Sequence, residues 1–546
     1  MTPERVTARE LLDLALDPGS FASWDEPVVD PPSTTDPTYR AELAQARERT
    51  GRDEAVLAGE GLIRGRRVAV LACEFGFLAG SIGVAGAERL VRGVERATRE
   101  GLPLLASPVS GGTRMQEGTV AFLQMVKIAA AIAAHKAAGL PYLVYLRHPT
   151  TGGVLASWGS LGHVTVAQPG ALVGFLGPRV YEALYGEPFP SGVQVSENLF
   201  AHGLVDAVLA PDDLAAVVDR TLNVLLAPRE GLPDVPELAS EPLPDLPAWD
   251  SITRSRRDER PGIRRLLRFA ATDVVVLNGT AQGERDPGLL LALARFGGAP
   301  CVVLGQDRRG QTATEPLGPA ALREARRGMR LAAELRLPLV TVIDTPGAAL
   351  SQEAEQGGLA GEIARCLAEL VTLDAPTLSV LLGQGSGGGA LALVPADRVV
   401  AAQHAWLSPL PPDGASAIVH RDTEHAPQMA AQQGVRSLDL LAAGVVDRVV
   451  PEHPDAAEEP EEFCRRMGRT LQHELVRLLQ ARAPERRAAR LDRYRRLGLS
   501  ADAATGASTG ASADVPTGAS AGAPTGASAD APTGVPTDVP IGQSGR

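Results

Sequence analysis

The residues best placed to do chemistry in this chain are glycines. Gly111 and Gly112 lie within LPLLASPVSGGTRMQEG, Leu102 to Gly118. There an apolar run punctuated by Pro103 and Pro108 reads as a short buried strand that breaks at the glycines and restarts as a helix. Without a Cβ, the two glycines let a ligand come close to the backbone. The amides of Gly112, Thr113 and Arg114 are then expected free at a helix N-terminus and aimed at an anion. The design recurs. TTGGVLAS, Thr150 to Ser157, puts Gly152 and Gly153 at a second strand–helix junction, and GSGGGALA, Gly385 to Ala392, puts Gly388, Gly389 and Ala390 at a third. One such turn is explained equally well by tight strand–helix packing; repetition within one chain favours function.

Backbone amides suit oxyanion stabilisation, in which two N–H groups hold the oxygen of an enolate, a thioester or a ureido group. Loss of one such donor costs about 2.7–4 kcal/mol of barrier. The side chains offer no rival mechanism. Near these turns there is no G-x-S-x-G elbow, H-E-x-x-H pair or Walker lysine. GQGSGGGALA lacks the acidic residue that completes a dinucleotide fingerprint. His148, His163 and His404 stand at strand or turn ends and read as structural, and Glu355 and Glu362 as a solvated helix face.

The elements that must position these turns alternate. At 546 residues, two or three domains are expected. Apolar residues make up 44% and aromatics only 4%. Cores built from Ala, Val and Leu suit parallel sheets covered by helices. Strands such as VAVLACEF, LPLLAS and PYLVYL alternate with helices from Ala55 to about Pro211, and the programme runs again from about Ile252 to Val450: an α/β reading. The register supports a duplication. LPLLASPVSGG at Leu102 matches LPLVTVIDTPG at Leu337, and PYLVYL at Pro141 matches PTLSVL at Pro376, both at an offset of 235. TTGGVLA then faces GSGGGALA with one residue gained, and Asp206 in HGLVDAVLAP matches Asp447 in AGVVDRVVPE.

The expected organisation is an adaptor at 1–54, the first copy at 55–230, a Pro-rich acidic linker at 231–250, the second copy at 251–499 and a disordered tail at 500–546. The tail repeats units such as PTGASADAPTG and has too few large apolar residues to fold. A net charge of −12 argues against a general nucleic-acid binder. The four cysteines are isolated, so neither a zinc ribbon nor a redox pair is expected. VAFLQMVKIAAAIAAHKAAG is cut by lysines and a histidine, so no membrane span is expected and a cytoplasmic location is.

These motifs carry a resemblance. CEFGFLAGSIGVAGAERLVRGVE, SGGTRMQEG, MVKIAAAIAAHKAAGLPYLVYLRHPTTGGVLASW and ALVGFLGPRV resemble the β subunit of bacterial acetyl-CoA carboxylase carboxyltransferase. IDTPGA, EIARCLAEL, GQGSGGGALALVPADRV and DGASAIVHRD resemble its α subunit. The likeness spans about residues 20–490, β-like before α-like. It implies tandem crotonase-like (ClpP/crotonase) spiral domains. The implied reaction carries a carboxyl group from carboxybiotin, on a separate carrier protein, to an acyl-CoA. The simplest substrate is acetyl-CoA, giving malonyl-CoA for fatty acid synthesis, and biotin itself can be the base.

Carried over residue by residue, the resemblance makes Gly111, Gly112, Thr113, Gly152 and Gly153 candidates for the thioester oxygen, and Gly388, Gly389 and Ala390 for the biotin ureido oxygen. Arg114 either holds a CoA phosphate or pairs with Glu117. The implied partners are biotin carboxyl carrier protein, biotin carboxylase, the acyl-CoA and further copies of the chain, with first-copy surfaces facing second-copy surfaces; nucleic acid and membrane are not among them. The sequence also departs from the family. The β subunit's zinc ribbon is missing, so no metal is expected. Thr113 stands where Ala is usual, IDTPGAALSQEAEQGG lacks a Tyr-Pro, and LSPLPPDGASA is longer than usual. Two rival readings stand beside this one: a malonyl-thioester decarboxylase using the same turns with the flux reversed, and a catalytically silent scaffold, which the departures around Ala348 and Pro411 keep open.

Overall fold

The computed structural model describes residues 5–28, 36–232, 237–238, 241–312 and 314–499. The tail at 500–546, part of the linker and part of the Pro-rich stretch before Tyr39 lie outside the described residues.

Two seven-stranded sheets make the frame. The first runs in spatial order Ala22–Ser23, Val56–Ile63, Arg66–Cys73, Leu104–Ser107, Tyr142–Leu146, Val164–Ala167, Ala207–Val208. The second runs Thr272–Leu277, Leu289–Phe296, Ala299–Gln306, Leu339–Thr345, Thr377–Gly385, Arg398–Ala402, Arg448–Val450. In both, the first three strands pair antiparallel and the rest parallel. The duplication is thus one of topology. Each antiparallel hairpin closes on two residues of positive φ, Arg64–Gly65 and Gly297–Gly298, the geometry that matches the right-handed twist of the strands. Leu104–Ser107, Tyr142–Leu146, Ala299–Gln306 and Leu339–Thr345 are buried at every residue, as parallel strands covered on both faces must be.

Equivalent helices, Val84–Arg99 and Pro319–Glu334, follow the hairpins, each preceded by a glycine cap, Gly83 or Gly318. The 235-residue offset therefore holds through them. Beside the first-copy sheet, the N-terminal segment adds an edge strand and the helix Ala8–Ala15, which buries Ala8, Leu11, Leu12 and Ala15.

The two halves share a core. Helix Leu214–Leu225, which ends the first half, packs on the strands Thr272–Leu277 and Leu289–Phe296 of the second. Its Leu214, Val218 and Leu222 join one apolar cluster with Leu291 and Leu293. Across the same seam Arg327 donates to both oxygens of Asp206, at 2.8 and 3.0 Å, with both side chains buried.

Two expectations change. Met115–Ala137 is long and apolar enough to cross a membrane by length and composition, because two lysines and a histidine do not offset so many apolar residues. It packs against Val84–Arg99 and leaves Val120, Phe122, Leu123 and Val126 exposed. Glu362 is not on a solvated face. It is buried and held by Arg323, Arg326 and Arg365 at 3.0–3.2 Å.

Candidate active site

In the first half, Ser110 couples the two glycine turns. Its N–H donates to Pro149 O at 2.7 Å and its carbonyl accepts from Thr151 N at 3.0 Å. The turns then touch: a Cβ built on Gly152 would lie 3.3 Å from Gly112 Cα, and the two glycines have φ of +63° and +116°. Close approach and left-handed backbone both require glycine here.

Most of the amides expected to be free are committed. The chain does not enter a helix at Gly112: a single turn at Met115–Glu117 comes first, and the helix proper begins at Gly118. Gly111 N–H donates to Ala79 O, Gly112 N–H to Ser110 Oγ and Gly152 N–H to Phe175 O, each at 2.9 Å, and Arg114 N–H donates to Ile82 O at 3.0 Å. These four shape the site instead of facing a ligand. Among the described residues, the Thr113 N–H has no acceptor. Gly153 is the second residue of helix Gly152–Leu155, where an N–H has no intrahelical acceptor, and it finds none elsewhere. A Cβ on Gly153 would stand 3.1 Å from Thr113 Oγ1, so the two open amides are neighbours.

The second half repeats this at the 235-residue offset. Thr345 replaces Ser110, and its Oγ1 accepts from Gly347 N at 3.1 Å. Ser386 N–H donates to Thr345 O, Gly387 N–H to Ser408 O and Ala349 N–H to Leu317 O. Gly347 and Gly387 have positive φ, as Gly112 and Gly152 do. The amides left over are those of Ala348, Gly388 and Gly389. Ala390 is the fourth residue of helix Gly387–Leu391, where the first intrahelical bond forms, so its amide serves the helix. Ala348 was missed because Pro346 stands where Gly111 stands and hides the match; adding the offset to Thr113 would have found it. No residue is gained between the turns, since the helices begin at Gly152 and Gly387. The register slips only afterwards, by one residue lost before Arg398, which pairs with Leu378 as Val164 pairs with Leu143. Asp206 and Asp447 are equivalent, accepting from Thr165 N and Val399 N at 2.8 and 2.7 Å.

Among the described residues, two buried oxygens of the second site make no hydrogen bond, Ser386 Oγ and Asp344 Oδ2. Burial pushes the Asp344 carboxyl above the ordinary carboxylate range, against the pull of Arg308 at 3.7 Å. A donor set of amides with a hydroxyl beside them fits a carbonyl or ureido oxygen that gains charge during reaction.

Arg114 is not available to a phosphate. Its side chain is 1% exposed, makes a two-point ion pair with Glu54, one arm at 2.9 Å, and donates to Ser81 O at 2.7 Å. Glu117, the expected partner, is farther away at 3.5 Å. The histidines are structural: His148 Nδ1 and His163 Nδ1 accept from Leu172 N and Tyr142 N at 3.0 Å, and Ser251 Oγ lies 3.2 Å from His404 Nδ1.

The carboxyl transferase domain matches residues 3–489. A protein of Mycobacterium tuberculosis named probable biotin-dependent acyl-coenzyme A carboxylase beta3 subunit is 65% identical over 499 residues, covering 91% of this chain and 100% of the relative. The acetyl-coenzyme A carboxylase carboxyl transferase subunits beta/alpha of Salinispora arenicola are 37% identical, covering 91% of each chain. Among solved structures, a chain of transcarboxylase 12S, a protein described as a hexamer assembly, superposes with a TM-score of 0.69 at 21% identity, over 88% of this chain and 90% of that one, a likeness of fold.

Proposed function

The chain belongs to the carboxyl transferase family, and from that premise we propose that it carries a carboxyl group from carboxybiotin, presented by a biotin carboxyl carrier protein, to the α-carbon of an acyl-CoA. One observation carries the reading: each half holds a pair of neighbouring turns with open amides, Thr113 with Gly153 and Ala348 with Gly388, at a constant offset.

Carboxybiotin, when bound, supplies the carboxyl group and a base for the acyl α-proton. The chain's own part is to hold two oxygens. Thr113 and Gly153 would hold the thioester oxygen as it becomes an enolate. Ala348 and Gly388, with Ser386 Oγ and Gly389 beside them, would hold the ureido oxygen. Hydrogen bonds that strengthen as charge develops lower the barrier selectively. Gln306 Nε2, donating to Gly389 O at 2.7 Å, fixes the second turn. Acetyl-CoA, giving malonyl-CoA for fatty acid synthesis, is the smallest substrate this reading takes. Four free, buried cysteines suit a reducing compartment, and the cytoplasm is the location proposed.

The chain is also proposed to act as a homo-oligomer. Met115 and Leu350 are equivalent in the repeat, each two residues past an open amide, and they are 81% and 96% exposed. Phe122, Leu123 and Val126, on the helix that follows Met115, are exposed too, as are Leu410, Ile418 and Val419 in the second half. Apolar faces of this kind beside a site favour a protein partner. Covering each with the other would bring a first-half turn opposite a second-half turn.

Mixing the chain with biotin carboxylase, biotinylated carrier, ATP, labelled bicarbonate and acetyl-CoA is expected to give acid-stable label in the CoA thioester. Carrier that becomes carboxylated while no acyl-CoA gains label would overturn the proposal. Label lost from malonyl-CoA without any requirement for carrier would favour the decarboxylase instead.

A further inference from the structure

We infer that a cavity behind the second glycine turn of the first half takes the acyl chain of the thioester, so that the chain carboxylates acyl-CoAs longer than acetyl-CoA. The inference rests on the thioester oxygen being held at Thr113 and Gly153.

The cavity, open on one side, has a volume of about 490 Å³ and is lined by Leu146, Leu155, Val173, Phe175, Phe189 and Leu199, with Ala281 and Gly283 of the second half on its wall. Its size and apolar lining are those of a small-molecule site. Its wall and the proposed oxyanion turn are one piece of backbone. Leu155 follows Gly153 by two residues in the same short helix, about 3 Å along its axis. Phe175 lends its carbonyl to Gly152 N–H at 2.9 Å, and Gly174 pairs with Thr151. An acyl chain leaving a thioester held at Gly153 therefore has this apolar hollow beside it.

Folding alone does not fill or cover the hollow. Phe175, Val193 and Leu204, all on its wall, are among the exposed large apolar residues. Among the described residues no Asp, Glu, Lys or Arg side chain lines the cavity; the polar groups on its wall are Ser160, Thr165, Gln194, Asn198 and His202. His202 Nδ1 lies 2.8 Å from Asn198 O and Gln194 Nε2 donates to Leu176 O at 2.7 Å, so both are tied to the local backbone. An uncharged hydrocarbon is the ligand this lining suits. Each methylene buried there is expected to tighten binding about fourfold.

The test compares acetyl-, butyryl-, hexanoyl- and octanoyl-CoA in the reconstituted carboxylation, alongside calorimetric binding of each thioester to the full chain alone. Affinity and kcat/KM are expected to rise with chain length. Val193→Trp and Leu204→Trp, which fill the hollow from its exposed rim, should flatten the rise and leave acetyl-CoA carboxylation at the wild-type level. Equal use of all four thioesters, or a rise that both variants leave intact, overturns the acyl-chain site and leaves the reaction standing. Binding that tightens with chain length and is lost in the variants, with no thioester carboxylated, keeps the cavity and overturns the reaction. Absence of both carboxylation and chain-length dependence overturns the two together.

Discussion

A guanidinium that follows a glycine turn can hold a ligand's phosphate or hold the turn itself, and Arg114 is committed to the second. Its main partner, Glu54, is 60 residues away in the chain, so the sequence around Arg114 pointed only to Glu117. Arg114→Met would leave Glu54 buried without its counter-charge, a loss of about 3–5 kcal/mol. Urea unfolding should show that loss, while the folded fraction binds acyl-CoA as the wild type does. His135 gives a pH-dependent case. Burial pushes its pKa from 6.5 down to about 4. Between those values the unfolded chain takes up a proton that the folded chain refuses. Stability is therefore full above 6.5 and falls as pH drops toward 4, by about 3 kcal/mol. His135→Gln should flatten that slope in urea midpoints measured at pH 7 and pH 4.5.

At the scale of elements, the strand–turn–helix units were legible because glycine, proline and apolar runs are local signals. The pairing of Leu102 with Leu337 and of Pro141 with Pro376 also held, since strands of a duplicated sheet keep their spacing. What was not legible was which amides stay open. Gly152 and Gly387 lose theirs to Phe175 O and Ser408 O, carbonyls at least 20 residues further along the chain. That competition is settled only when the sheets assemble. The open amides of Ala348 and Thr113 emerge from what their neighbours take. Thr113→Ala should therefore leave transfer nearly unchanged, because the amide remains and Ala348 does the same work across the repeat. Steady-state kcat/KM for acetyl-CoA would show this.

Within residues 5–497 the two halves are joined by one apolar core where they meet. Arg327 and Asp206, from different halves, are both buried. Arg327→Met should cost about 3–5 kcal/mol and lower a single shared unfolding transition, which calorimetry would report as one displaced peak; a split into two peaks would contradict a common core. Phe122→Glu on the exposed face of helix Gly118–Ala137 should shift light-scattering mass toward smaller species and reduce carboxyl transfer with it. The central claim, one oxyanion site per half, is tested most directly by single-turnover transfer of label from carboxylated carrier to acetyl-CoA. The full chain is compared with Gly153→Pro and with Gly388→Pro, each of which deletes one open amide. Wild type is predicted to transfer the label and each folded variant to slow transfer by about 100–1,000-fold. A folded Gly388→Pro or Gly153→Pro that transfers label at the wild-type rate would contradict the account.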